Sequence, residues 1–232
     1  MNETGRSLGP ESSESPAVVR FVVYSDYLCP WCYNAAVRLR QVEREFEGQV
    51  ELEWKSFLLR PEPRPEPRRD DPTGSALEKF RRYTESWLRP AAESESGEFR
   101  VWQSDEGPPS HSIPPHCVAK AAAQVGADAF ERMHWRLLHA YFSENRDISN
   151  PATLREIWQE LELPDAALAV ADEQRVREQV IADHNEAVEF GANGVPAVRL
   201  ADNPTCVVGA QPIEIYRRWV ERTLSRRAEA KA

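Results

Sequence analysis

Three hydrophobic rhythms follow one another along the chain, and their order predicts its layout. Val18 to Tyr24 (Val-Val-Arg-Phe-Val-Val-Tyr) is short, β-branched and nearly all apolar, which suits a strand buried on both faces of a sheet. After Cys32 the period changes: Ala35, Leu39, Val42 and Phe46 make one stripe of a helix that stops at Gly48. Val50, Leu52 and Trp54 then alternate with Glu51, Glu53 and Lys55, a strand with one wet face. A crossover helix of that length makes the two strands parallel and the connection right-handed.

Arg60 to Pro72 carries prolines alternating with charges, an extended connector, because proline donates to neither a helix nor a sheet ladder. A helix follows from about Ser75 to Leu88. Residues 90–112 read as loop, with a short strand at Phe99-Arg100-Val101-Trp102. From Pro114 the pattern is helical. Val118, Ala122 and Val125 form one stripe, and Phe130, Met133, His134, Leu137, Leu138, Tyr141 and Phe142 a longer one. Asn150-Pro151 is an N-cap followed by proline at the first helical position, leading into Leu154, Ile157, Trp158 and Leu161. Another helix spans about Glu173 to Phe190, with Val176, Val180, His184 and Ala187 inward. The period then returns to two over Pro196–Leu200 and Cys206–Val208, joined by the turn Ala201-Asp202-Asn203-Pro204. A closing helix carries Ile213, Tyr216, Val220 and Leu224. The order β-α-β, helices, β-β-α predicts an α/β fold whose small sheet is split by an inserted all-helical subdomain.

Composition narrows the function classes. The 232 residues include 29 Lys plus Arg against 38 Asp plus Glu, a net charge of −9, which repels phosphate backbones and disfavours nucleic acid as a partner. The sequence holds no apolar run long enough to span a membrane. Residues 1–16 are polar, rich in Ser, Glu, Gly and Pro, and read as a disordered leader without the apolar core of a secretory signal. Four cysteines in so long a chain are no disulfide scaffold. They suit a cytoplasmic, reducing setting in which a cysteine pair is catalytic, redox-sensing or metal-binding.

Cys29-Pro30-Trp31-Cys32 sits where a buried strand ends and a helix begins. Two intervening residues bring the sulfurs within one helical turn. Cys29 falls at the helix N-terminus, where unpaired N–H groups and the positive end of the dipole favour a thiolate, the nucleophile of thiol–disulfide exchange. Pro30 pre-sets the first turn. Cys32, one turn in, is expected to be more buried and to resolve a mixed disulfide. A structural zinc site would need two more ligands. His116-Cys117, the only neighbouring pair, places them on diverging faces of a helix, so no metal is assigned. Cys117 and Cys206 read as inert single thiols, with a second disulfide between them left open. His134 and His184 read as core residues. Asp26, three residues before Cys29, has two equal readings: a carboxylate that tunes the thiols, or a strand-end group in solvent. Trp31 is expected to sit half-exposed beside the sulfurs.

Tyr27-Leu28-Cys29-Pro30-Trp31-Cys32-Tyr33 after a strand resembles the active site of the DsbA-like thioredoxin-fold oxidoreductases, in particular their cytosolic FrnE-like branch. Gly191-Ala192-Asn193-Gly194-Val195-Pro196, then Val207-Val208-Gly209-Ala210-Gln211-Pro212, is similar to that branch's second signature, as are Ala140-Tyr141-Phe142 and Arg146-Asp147-Ile148. The resemblance spans Val18 to Leu224. It implies a thioredoxin fold made of residues 17–72 and 191–232, interrupted by a helical insertion at 73–190. Pro196 would take the family's cis-proline place opposite the cysteines, with Val195 presenting its backbone to an extended substrate. Pro30 and Trp31 would border that substrate. In glutathione-using relatives the turn at Ala210 and Gln211 grips the γ-glutamyl end, so the resemblance implies glutathione as a co-substrate held by free N–H groups there, and no other cofactor.

One departure matters. Strongly oxidising periplasmic relatives carry His where this chain has Trp31, so the resemblance implies a less oxidising couple here, on a scale from about −120 mV for DsbA to about −270 mV for thioredoxin. The expected activity is therefore thiol–disulfide exchange on protein or small-molecule substrates, as a reductase or isomerase rather than a strong oxidant. Two other readings remain. One is a glutathione-dependent isomerase or transferase of the 2-hydroxychromene-2-carboxylate isomerase type, in which the first cysteine position is typically Ser. The other is a chaperone-like binding module.

Overall fold

The computed structural model describes residues 18–65 and 75–230, so the leader at 1–16 and most of the second half of the proline connector lie outside the described residues. Strand β1 (Val19–Ser25) is followed by helix α1 (Pro30–Glu45) and strand β2 (Val50–Ser56), and β1 and β2 pair in parallel from Val19–Val50 to Ser25–Ser56. Both elements and their direction are those the periodicity predicted.

The helical stretch begins with α2 (Ala76–Thr84), closed at its start by a capping box in which Ser75 and Glu78 satisfy each other's backbone N–H groups. A single helix to Leu88 was expected; instead Glu85–Trp87 tighten into a 3-10 turn before α3 (Leu88–Ala91). The Thr84 hydroxyl bonds back to the Arg81 carbonyl at 2.8 Å and also receives the Trp102 N–H at 3.0 Å, which pins the chain where the helix changes pitch. No strand forms at Phe99–Trp102. The N–H groups there go elsewhere: Arg100 to the Phe142 carbonyl (2.8 Å), Trp102 to Thr84, and Gln103 to the Asn145 side chain (2.8 Å). The alternation of Phe99 and Val101 with polar neighbours was real, but no ladder partner lies beside it.

Helices α4 (Ile113–Val125) and α5 (Ala127–Phe142) turn about Gly126. Helix α6 (Pro151–Glu160) is capped by the Asn150 side chain, which accepts the Ala152 N–H at 2.9 Å. A short α7 (Asp165–Leu168), not seen in the sequence pattern, leads through a 3-10 turn to α8 (Gln174–Glu189). Trp87, Trp102, Trp158, Met133, Leu137, Leu138 and Phe142 form the apolar centre of this region. It also contains Tyr27, Tyr33 and Ala36, so it is continuous with the back of α1.

Strands β3 (Ala197–Leu200) and β4 (Val207–Val208) complete a sheet of order β2-β1-β3-β4. Both β1–β3 and β3–β4 are antiparallel, and α9 (Ile213–Glu229) closes the chain. Each strand starts one residue later than the alternation suggested. Pro196 brings no N–H to the ladder, and Cys206 has no partner across from it. Val19, Phe21 and Val23 of β1 point to one face with Leu39, Val42, Ile213, Tyr216 and Val220, so α1 and α9 cover that side. Val22 and Tyr24 point the other way, against Ala187 of α8. β1 is thus buried on both faces, as its composition demanded. By packing, α8, which the sequence boundaries grouped with the 73–190 insertion, lies against the sheet.

Candidate active site

Residues 26–29 turn the chain from β1 into α1, and Asp26 holds that turn. Its carboxylate accepts the Leu28 N–H at 2.7 Å and the Leu59 N–H at 2.6 Å, while its carbonyl accepts the Cys29 N–H at 3.1 Å. Its own N–H points to Cys32 Sγ at 3.5 Å. Asp26 is 0% exposed, which removes the solvent reading. Burial raises its carboxyl from 3.8 to about 6, opposed by the Ser112 hydroxyl, the Leu28 and Leu59 amides and the charge of Arg60.

Cys29 is the N-cap of α1, in extended conformation (φ −99°, ψ 115°), with Pro30 at the first helical position. The Cys32 N–H donates to the Cys29 carbonyl at 3.0 Å. Across the turn, the Cys29 thiol donates to the Val195 carbonyl at 3.4 Å, and the Val195–Pro196 bond is cis. Two sequence signatures 166 residues apart therefore meet at one sulfur atom. Cys29 is 5% exposed and Cys32 0%, the order expected of an attacking and a resolving thiol. Both are free thiols. Burial pushes the Cys32 thiol well above its ordinary value, and the hydrogen bond it shares with Cys29 pushes the same way; the Ser25 hydroxyl and the Asp26 N–H oppose this. Pro30 and Trp31 are half-buried beside the sulfurs, and Val195 is half-buried next to buried Pro196.

Gln211 uses its polar groups within the protein, so its N–H is not the free donor expected for a glutathione carboxylate. Its N–H meets the Tyr216 hydroxyl (3.2 Å), its carbonyl accepts from Arg38 (3.0 Å), and its side-chain amide folds back on the Gly209 carbonyl (3.1 Å). Ala210 is half-buried between Gly209, at φ +95°, and Gln211. The sequence pattern missed Arg38 and Asn34. Arg38 is 2% exposed and ties α1 to Gln211 and, through the Ser94 carbonyl at 2.8 Å, to the helical region. Asn34 is buried, donates to the Pro90 carbonyl (2.9 Å) and accepts the Gly97 N–H (3.0 Å). Their spacing of four residues along α1 was the only available signal.

The remaining candidates sit apart from the sulfurs. His116 packs against Tyr27, with ring centroids 4.8 Å apart, while the adjacent Cys117 joins a different apolar cluster with Val176 and Val180. Among the described residues no group of three or more His, Cys, Asp or Glu is placed to hold a metal ion. Burial pushes Cys117 up to about 11 and also raises Cys206, which packs in yet another cluster, beside Phe57 and Ala197. His134 is buried with Nδ1 3.1 Å from the Tyr27 hydroxyl, and the half-buried His184 accepts the Leu58 N–H at 3.2 Å. No helix of the described residues is long and apolar enough to cross a membrane.

Comparison with known proteins adds four findings. A family model described as a DSBA-like thioredoxin domain matches residues 20–220. The uncharacterized protein YwbO of Bacillus subtilis (strain 168) is 27% identical over 210 residues, covering 87% of this chain and 96% of the relative. Among solved structures, the cytosolic disulfide reductase DsbM of Pseudomonas aeruginosa superposes with a TM-score of 0.68 at 21% identity, over 89% of this chain and 98% of that one. A 2-hydroxychromene-2-carboxylate isomerase superposes with a TM-score of 0.60 at 14% identity, over 92% of this chain and all of that one.

Proposed function

Because the chain belongs to the DSBA-like thioredoxin-domain family, we propose that it exchanges disulfides through the Cys29–Cys32 dithiol, in the reductive or isomerising direction. The observation that carries this reading is the sulfur of Cys29 at the mouth of α1, bonded to the Val195 carbonyl, with Cys32 buried one turn behind it.

In the reductive direction, the Cys29 thiolate attacks one sulfur of a substrate disulfide. A mixed disulfide forms, and the other substrate sulfur leaves and takes up a proton. Cys32 gives up its proton and attacks Cys29 Sγ, which closes the Cys29–Cys32 disulfide and releases the second substrate thiol. Two electrons and two protons pass to the substrate, and a thiol reductant such as glutathione restores the dithiol. Ionisation of Cys29 removes its hydrogen bond to Val195, which frees that carbonyl to receive an N–H from an extended substrate. Asp26 is a positioning residue: it fixes the turn that presents Cys29, and its N–H is aimed at the Cys32 sulfur, where it favours the thiolate needed for resolution.

The direction is supported by Trp31. No imidazolium stands between the two cysteines to stabilise the thiolate form and draw the couple toward oxidation. Such a couple suits a reducing cytosol. Steady-state reduction of a small test disulfide with glutathione as reductant is expected to fall at least about a hundredfold in Cys29→Ser. Undiminished turnover by that variant defeats the assignment. A measured potential near about −120 mV would reverse the direction. The superposition on a 2-hydroxychromene-2-carboxylate isomerase favours one second reading, a glutathione-dependent isomerase. That reading requires isomerase activity to survive Cys32→Ala.

A further inference from the structure

Three basic side chains, Arg60, Arg64 and Lys79, line a cavity that reaches the residue before the attacking cysteine. The cavity, of about 420 Å³, opens beside Leu28 and is also lined by Leu59, Phe80, Tyr83 and Tyr141 among others. On a chain with a net charge of −9, none of the described residues lining this cavity is an Asp or Glu. Its volume lies in the range of small-molecule sites.

Among the described residues, no carboxylate holds either arginine. Arg60 is held through its backbone: its N–H donates to the Ser112 hydroxyl at 3.1 Å and its carbonyl accepts the Ser112 N–H at 2.8 Å. Arg64 donates from Nε to the Pro109 carbonyl at 3.0 Å and lies over the Phe80 ring at 5.9 Å. Neither guanidinium has an ion-pair partner among the described residues. Burial, and then the charge of Arg60, lowers the Arg64 value, so the two cations repel each other, while Tyr141, Tyr83 and Asp147 act more weakly in the opposite direction. The cavity is electrostatically in touch with the reacting centre. Tyr83 on its wall feels the charges of Cys29, Arg64 and Arg60, and Arg60 also acts on Asp26.

We propose that this cavity is a specificity site for the carboxylates of a small acidic thiol or disulfide, with Arg60 as the residue that reads the charge. The proposal rests on the oxidoreductase reading and names its substrate class. An anion here relieves the repulsion between Arg60 and Arg64 while Phe80 and Tyr141 receive the apolar part of the molecule, and the linking sulfur is then presented at the Cys29 end beside Leu28. A neutral disulfide gains none of the charge term.

The test has two arms. In turnover, kcat/KM is measured for oxidised glutathione and for the uncharged bis(2-hydroxyethyl) disulfide, in wild type, Arg60→Gln and Arg60→Lys. The acidic-to-neutral ratio is expected to fall about tenfold in Arg60→Gln, to recover largely in Arg60→Lys, and to shrink in the wild type as salt is raised. Using the ratio cancels any effect of Arg60 on Asp26 or on folding. In binding, S-methylglutathione, a thioether that cannot exchange disulfides, is titrated calorimetrically. Its Kd is expected to weaken about tenfold in Arg60→Gln. An unchanged ratio and an unchanged Kd overturn the proposal and leave the oxidoreductase reading standing. Arg60-dependent binding in a protein that turns over neither disulfide defeats that reading and keeps the site.

Discussion

Replacing Asp26 by Asn removes a buried charge whose cost can be worked out from its surroundings. The folded carboxyl titrates at about 6 against an ordinary 3.8. Between those values the folded protein keeps a proton that the unfolded chain has lost, so stability declines as pH rises through that window and the full cost applies above about pH 6. At about 1.4 kcal/mol per pH unit this cost is about 3 kcal/mol. Asn escapes it but offers one oxygen where the carboxylate offered two. One of the Leu28 and Leu59 amides then loses its acceptor, which takes back about 1–2 kcal/mol. Asp26→Asn is therefore expected to be more stable than wild type by about 1–2 kcal/mol at pH 7.5, and no more stable at pH 4. Urea unfolding of both proteins between pH 4 and pH 8 gives the difference directly, and groups titrating elsewhere cancel in it. A difference that stays constant across the range refutes the buried, raised carboxyl.

Other substitutions probe the supports of the site. In Gly97→Ala the added Cβ would run into the ring of Tyr33, which is buried between Phe99 and Phe142, so a loss of about 1–3 kcal/mol in chemical denaturation is expected and a neutral result contradicts that packing. Trp31→His places an imidazolium beside the sulfurs, and the Cys29–Cys32 potential, measured against glutathione at pH 6, is expected to rise by about 30 mV or more; no rise removes the argument for direction. Glu186 receives the Tyr24 hydroxyl at 2.6 Å and the Lys55 ammonium at 2.6 Å under the sheet, so Glu186→Gln is expected to cost about 1–2 kcal/mol of stability with no effect on the potential.

What could be read from the sequence followed from chain-local physics. The all-apolar β1, the stripe of α1 and the placement of Cys29 at a helix start each depend on neighbours within a turn or two, and each is found as read. The pairing of Val195 with Cys29 was accessible only through the family signatures, because no local pattern links residues so far apart. Asp26 stayed ambiguous for a similar reason: its burial is decided by Leu59 and Ser112, contributed by distant loops. Asn34 and Arg38 were invisible because a polar residue on a helix normally faces water, whereas these two face the helical region and the final turn. The strand expected at Phe99–Trp102 failed for the opposite reason. Its pattern was adequate, but helix ends and side chains took its hydrogen bonds.

The division of labour between the two sulfurs is tested most directly by trapping. Cys32→Ser, incubated with a disulfide substrate and quenched with acid, is expected to yield a covalent adduct that peptide mass mapping places on Cys29, and Cys29→Ser is expected to yield none. An adduct on Cys117 or Cys206, or equal trapping by both variants, would contradict an attacking thiol at the mouth of α1.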